Sequence, residues 1–178
     1  MNNARSNSLS MLVITILFVG VAAAQHEMPA GMTHEQHLAK MKKEAEIKKR
    51  GDVAMGFDQD KAAHHFLIGG DGGSIQVENN NAEDTGSRDL IRRHLKTISK
   101  QFATGDFSAP FATHEEIIPG VNTMQRLKSE ISYAYEDRPQ GAIVRIKSTN
   151  PEAVQAVHEF LQYQVREHAT GDPLTVQK

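Results

Sequence analysis

The chain has 178 residues, 39% of them hydrophobic and 24% charged, with no cysteine and no tryptophan. Twenty Lys and Arg stand against 22 Asp and Glu, a formal charge of −2, so the sequence carries no basic excess for a nucleic-acid partner. Without cysteine there are no disulfides, no thiolate metal sites and no cysteine nucleophile. What stands out is nine His and seven Met beside seven Phe and three Tyr.

In chain order, residues 1–24 read as a secretory signal peptide. Arg5 sits near the amino terminus, an apolar run extends from Leu9 to Val21, and Ala22-Ala23-Ala24 is a small-x-small cleavage signal. The run falls short of the ~20 residues that span a bilayer. The expectation is a periplasmic or secreted protein whose mature chain begins at Gln25.

Residues 25–58 form a His/Met- and Lys-rich segment containing one predicted helix. Thr33 with Gln36 makes a capping box, His34 to Arg50 holds no breaker, and Gly51 stands where a C-cap glycine is expected. Leu38, Met41, Ala45 and Ile47 give only a thin apolar stripe among six cations between Lys40 and Arg50, so an exposed or partner-bound helix is expected.

The rest of the chain repeats itself. His64–Leu67, a glycine-rich turn and Ser74–Glu78 read as a hairpin, followed by a helix from about Ser87 to Ala103. Tyr133–Asp137, a turn at Arg138–Gly141 and Ala142–Lys147 form a second hairpin, and Asn150 caps a second helix with Pro151 at its first position. Ala103-Thr104-Gly105-Asp106 recurs as Ala169-Thr170-Gly171-Asp172, and the repeats align at offsets of 69 in the strands and 66 in the helices. The units span 59–107 and 131–178, joined by a connector, 108–130, read as a loop from Phe107 to Pro119 and then a short helix over Asn122–Ser129. A lone hairpin is marginal in water. The predicted fold is therefore α+β: a duplicated ββα unit forming a four-stranded antiparallel sheet with two helices on one face, preceded by the N-terminal helix. The other sheet face would meet solvent, a ligand or a second copy in a homodimer.

The chemistry-bearing candidates are His and Met. His34, His37 and Met41 share one helix face, and imidazole with thioether suits copper. His26, Met28 and Met32 in the leader, and His64, are supplementary ligands. His64 and His65 are adjacent on a strand and must point to opposite faces. His94 and His158, beside the apolar stripes, read as structural, and His114 with Glu115 and Glu116 reads as a surface triplet. Gly69–Gly73 lacks the Lys-Ser/Thr of a phosphate loop and reads as a hairpin turn. No nucleophile elbow or dinucleotide fingerprint is present.

Met55-Gly56-Phe57-Asp58-Gln59, His64-His65-Phe66, the helix start at Asp84–Arg93 and Val157-His158-Glu159-Phe160-Leu161 resemble a group of small exported bacterial proteins of unknown function. The resemblance runs from about Lys49 to Asp172. Some of that group carry the label aspartate carbamoyltransferase. This chain has neither the Ser-Thr-Arg-Thr helix start nor the His-Pro-x-Gln segment of a transcarbamoylase and is too short for its two domains. The resemblance thus implies an exported single-domain family and no activity. The leading functional expectation is an exported non-catalytic binding protein handling copper or another transition metal through His and Met. The alternatives are an interaction module docking its Lys-rich helix on a partner protein or membrane surface, and a small-ligand enzyme using His64 or His65 with His114.

Overall fold

The computed structural model describes residues 31–177; the signal-peptide reading of residues 1–24 and the ligand candidates His26 and Met28 lie outside them. Helix α1 (His34–Met55) leads through a single 3-10 turn into the hairpin β1 (Ala62–Gly69) and β2 (Gly72–Asn79), followed by α2 (Thr85–Thr104). The connector holds α3 (Ser108–His114) and α4 (Val121–Arg126), and the second unit is β3 (Ile131–Arg138), β4 (Gly141–Ser148) and α5 (Pro151–Glu167). Corresponding strands begin and end at the predicted offset, and the helix caps Asp84 and Asn150, like the left-handed glycines Gly105 and Gly171, follow the other.

The sheet is antiparallel in the order β1-β2-β4-β3. Rows such as Phe66–Ile75–Val144–Tyr135 cross it and face the helices. The two β2–β4 glycines matter here: a Cβ on Gly72 would lie 2.1 Å from the Ile146 carbonyl oxygen, and one on Gly141 would lie 1.9 Å from that of Val77. These are the same contact seen twice, because 72 and 141, like 77 and 146, correspond in the repeat.

Each helix covers mainly the other unit's hairpin. Helix α2 packs on β3 and β4, and α5 on β1 and β2. Matching residues fasten the exchange. Arg92 on α2 donates to the carbonyls of Arg138 (2.6 Å) and Gly141 (3.1 Å) at the β3–β4 turn. Its counterpart His158 on α5 donates from Nε2 to the Gly69 carbonyl at the β1–β2 turn (2.8 Å). The structural role expected of His158 is this one.

Three local expectations change. Helix α1 continues past Gly51 to a left-handed C-cap at Gly56, because Gly51 is buried against Gln59, whose Nε2 would be 2.5 Å from a Cβ there. Its C-terminal half packs on α3, and Ile47, beside the start of β1, is buried, while its N-terminal half is exposed as expected. Residues 108–114, expected as loop, form α3; two turns are too short to show periodicity, and packing against α1 decides. The free edge of β1 is covered by the C-terminal segment: Asp172 accepts from the Phe66 amide (2.9 Å), and the Gln177 amide donates to the Ile68 carbonyl (2.8 Å). No helix among the described residues is long and apolar enough to cross a membrane.

Candidate functional site

The facing stripes of α2 and α5 differ at their two ends. At one end Phe102 and Phe160 meet edge-to-face at 5.9 Å, Tyr133 stands 5.9 Å from Phe102, and Phe107 stacks on Phe102 at 4.4 Å. The repeat maps three of these rings onto the other end, Tyr133 onto His64, Phe160 onto His94 and Phe102 onto His168, while Phe107 falls on Pro173. His64 and His168 lie 5.8 Å apart, the counterpart of the Tyr133–Phe102 contact. The scaffold therefore holds three aromatic positions twice, filled once by Phe and Tyr and once by imidazoles.

A fourth imidazole, His114 from α3, meets His168 edge-on at 5.1 Å, and Phe57 packs against both His64 and His94 at 5.8 Å. Between these rings and the edges of Phe102 and Phe160 lies a cavity of about 60 Å³. That is room for a few water-sized positions at ~10–15 Å³ each. Met55, Thr113 and Gln164 also line it, and no Asp, Glu, Lys or Arg does.

Burial governs the titration of these rings. It depresses His64 and His94 to about 4 and His168 to about 3, with smaller contributions from His65 on His64, from His64 on His94, and from His64 and His114 on His168. Burial lowers His114 too, opposed by its bond to Gln164 and by Glu167 and Glu116. At neutral pH the rings are uncharged and offer lone pairs. His114 Nε2 is 3.3 Å from Gln164 Oε1, an oxygen that only accepts, so Nε2 carries the proton and Nδ1 the lone pair. That Nδ1, His64 Nε2 and Gln164 Nε2 are buried without hydrogen-bond partners, and all three residues line this cavity. At the aromatic end only the Tyr133 hydroxyl is likewise unpaired.

Outside the cavity runs a groove of about 460 Å³ between α1 and the start of β1, lined among others by Glu44, Lys48, Asp60 and Glu167. His64 and His168 line both spaces and form the wall between them. His65, on the opposite sheet face from His64, leaves the cavity; its Nδ1 is 3.0 Å from Asp172 Oδ1.

The remaining sequence-derived candidates lie elsewhere. His34 is exposed on the first turn of α1, Met41 is 41% exposed, Met32 is half-buried, and His37 Nδ1 is buried without a partner. Ile47, which shares the groove with His64, is ten residues beyond His37, about 15 Å along a helix. The structure thus separates His64 from His34 and His37, and unites it with Met55. Among the described residues no three His, Asp or Glu side chains converge as a metal-binding group.

Sequence reasoning read His94 as structural, placed His114 in a surface triplet and, under the enzyme alternative, beside His64 or His65, and passed over His168. Aligning the repeat residue by residue exposes the pattern, because His168 falls on Phe102 and His94 on Phe160. No family model, curated protein or solved structure matches the chain.

Proposed function

We propose that this protein is a non-catalytic binding protein whose ligand occupies the imidazole-lined cavity. One observation carries the reading: the duplicated core closes with Tyr133, Phe160 and Phe102 at one end, yet places His64, His94 and His168 at the equivalent end, around a cavity with unpaired polar atoms. A buried polar group without a partner costs about 1–3 kcal/mol, and the same scaffold shows an apolar alternative. A bound ligand would satisfy these atoms. The absence of carboxylate, lysine and serine from the lining, with the Thr113 hydroxyl engaged by the Ala109 carbonyl at 3.1 Å, favours binding over catalysis. An uncharged ligand of a few heavy atoms, or an ion that takes imidazole lone pairs, suits the volume.

The test compares wild type with a ring-matched variant, His64→Tyr/His94→Phe/His168→Phe, in a thermal-shift screen of small uncharged compounds and d-block ions. A ligand that raises the melting temperature of wild type and leaves the variant unmoved supports the proposal. If every ligand found acts equally on both proteins, or none is found, it fails.

A further inference from the structure

We infer that the imidazole end is a Cu(I) site, with His64 and His168 as the ligand pair and the Met55 thioether as the third donor. The inference rests on the binding reading above and names its ligand. The donor set comes first: imidazole and thioether line one small space, and this soft combination selects Cu(I), whereas hard cations need oxygen ligands.

Geometry is the second support. Metal–imidazole bonds of about 2.0 Å put the centres of two rings on opposite sides of one ion about 6 Å apart. His64 and His168 have ring centres 5.8 Å apart, and His64 Nε2, buried, has no other partner. The rings stack with their planes within 12°, so they turn about their Cβ–Cγ bonds on binding to aim both lone pairs at the ion. The absence of any converging group of three His, Asp or Glu among the described residues argues against a tetrahedral zinc site, while a two-imidazole site with a thioether needs no such group.

Charge is the third. The cavity has no carboxylate to compensate an ion, and the cost of burying charge rises steeply with its magnitude, so a monovalent ion is favoured over a divalent one. The ion also has an approach, because both ligating imidazoles face the outer groove, whose acids Glu44, Asp60 and Glu167 stand within ion-pair reach of Lys40, Lys48 and Lys43.

The experiment is a Cu(I) competition titration with a chromogenic chelator on three full-length proteins: wild type, His64→Tyr/His168→Phe, and His34→Ala/His37→Ala. X-ray absorption is recorded on the loaded wild type. The expected result is one Cu(I) per chain in wild type, unchanged in the helix α1 variant and at least 100-fold weaker in the ring-matched variant. The absorption spectrum should show two nitrogen donors and one sulfur. Binding lost in the α1 variant and kept in the ring-matched one overturns the assignment in favour of the α1 face. Absence of Cu(I) binding from a wild type that still responds to an uncharged ligand overturns the copper inference alone; absence of both overturns the binding reading as well.

Discussion

Replacing His94 and His168 by phenylalanine, the residue found at each equivalent position, should stabilise the metal-free protein. Two contributions act at neutral pH. Filling a cavity of about 60 Å³ recovers up to ~1.4 kcal/mol at ~24 cal/mol per Å³. Removing two imidazoles from an apolar setting adds about 1 kcal/mol in total at the lower end of octanol-based scales. A third contribution depends on pH. In the folded protein burial holds His94 at about 4 and His168 at about 3, against 6.5 for a free imidazole. The unfolded chain therefore takes up protons first as the pH falls. The stability these rings contribute is complete above 6.5 and is lost progressively as the pH drops toward 4. By linkage the loss at pH 5 is about 2 kcal/mol per ring, and partial exposure of both rings reduces it to about 1. Urea denaturation in the presence of a chelator should thus show the variant more stable by about 2 kcal/mol at pH 7.5 and about 4 at pH 5. With a slope near 2 kcal/mol per molar, the midpoints move by about 1 M and 2 M. A variant less stable than wild type at pH 7.5, with an unchanged difference at pH 5, would refute the equivalence of the two ends.

The exchanged helices, the sheet centre and the covered edge each give a further prediction. Arg92→Ala removes both bonds to the β3–β4 turn and should cost about 1–3 kcal/mol in urea denaturation, while His158→Ala, with one bond to the opposite turn, should cost less. Gly141→Ala drives a methyl into the Val77 carbonyl and should destabilise by about 3 kcal/mol or more, whereas Gly70→Ala, in open space, should fall within about 0.5 kcal/mol of wild type. Asp172→Ala strips the Phe66 amide and His65 of their shared acceptor, and hydrogen exchange at Phe66 should speed up by at least tenfold. Although burial opposes it, Thr170, His65 and the Phe66 amide hold the Asp172 carboxyl below its ordinary 3.8, so its contribution is present above that value and disappears as the pH falls beneath it.

The duplicated fold was legible because its main signals are local and occur twice, as period-two strands and as the Ala-Thr-Gly-Asp stops at Gly105 and Gly171. Of the two caps, Asn150 was legible and Asp84 was passed over for a start near Ser87. Helix α3 was not legible, since its helical state depends on packing against α1, which no pattern within 108–114 reveals. Gly51 misled for a related reason: its value lies in the close approach of Gln59, a contact invisible in the sequence. The candidate site was half legible. The surplus of His drew attention to the residue type that lines the cavity, but clustering along the chain directed it to His34 and His37, whereas His64, His94, His114 and His168 meet only after β1, α2, α3 and α5 assemble.

The break in symmetry lies where the non-repeated segments pack. The duplication accounts for the sheet, α2 and α5, and a symmetric core would close both ends of the α2–α5 seam alike. Most of helix α1 and all of helix α3 have no counterparts, while the last turn of α1 corresponds to α4, Met55 falling on Met124. Both helices border the imidazole end, where Ala54 and Met55 from α1, and Ala109, Pro110, Thr113 and His114 from α3, line the cavity. The connection between them is direct, for Arg50 donates from Nε to the Thr113 carbonyl at 2.9 Å and pairs with Glu115 at 3.4 Å. Because the helices exchange hairpins, the site also draws on both repeats, with His64 and His94 from the first and Gln164 and His168 from the second. Neither unit alone would contain it. Ring chemistry and added elements thus depart from the repeat at one location, and a packing accident at a single residue would not produce that coincidence.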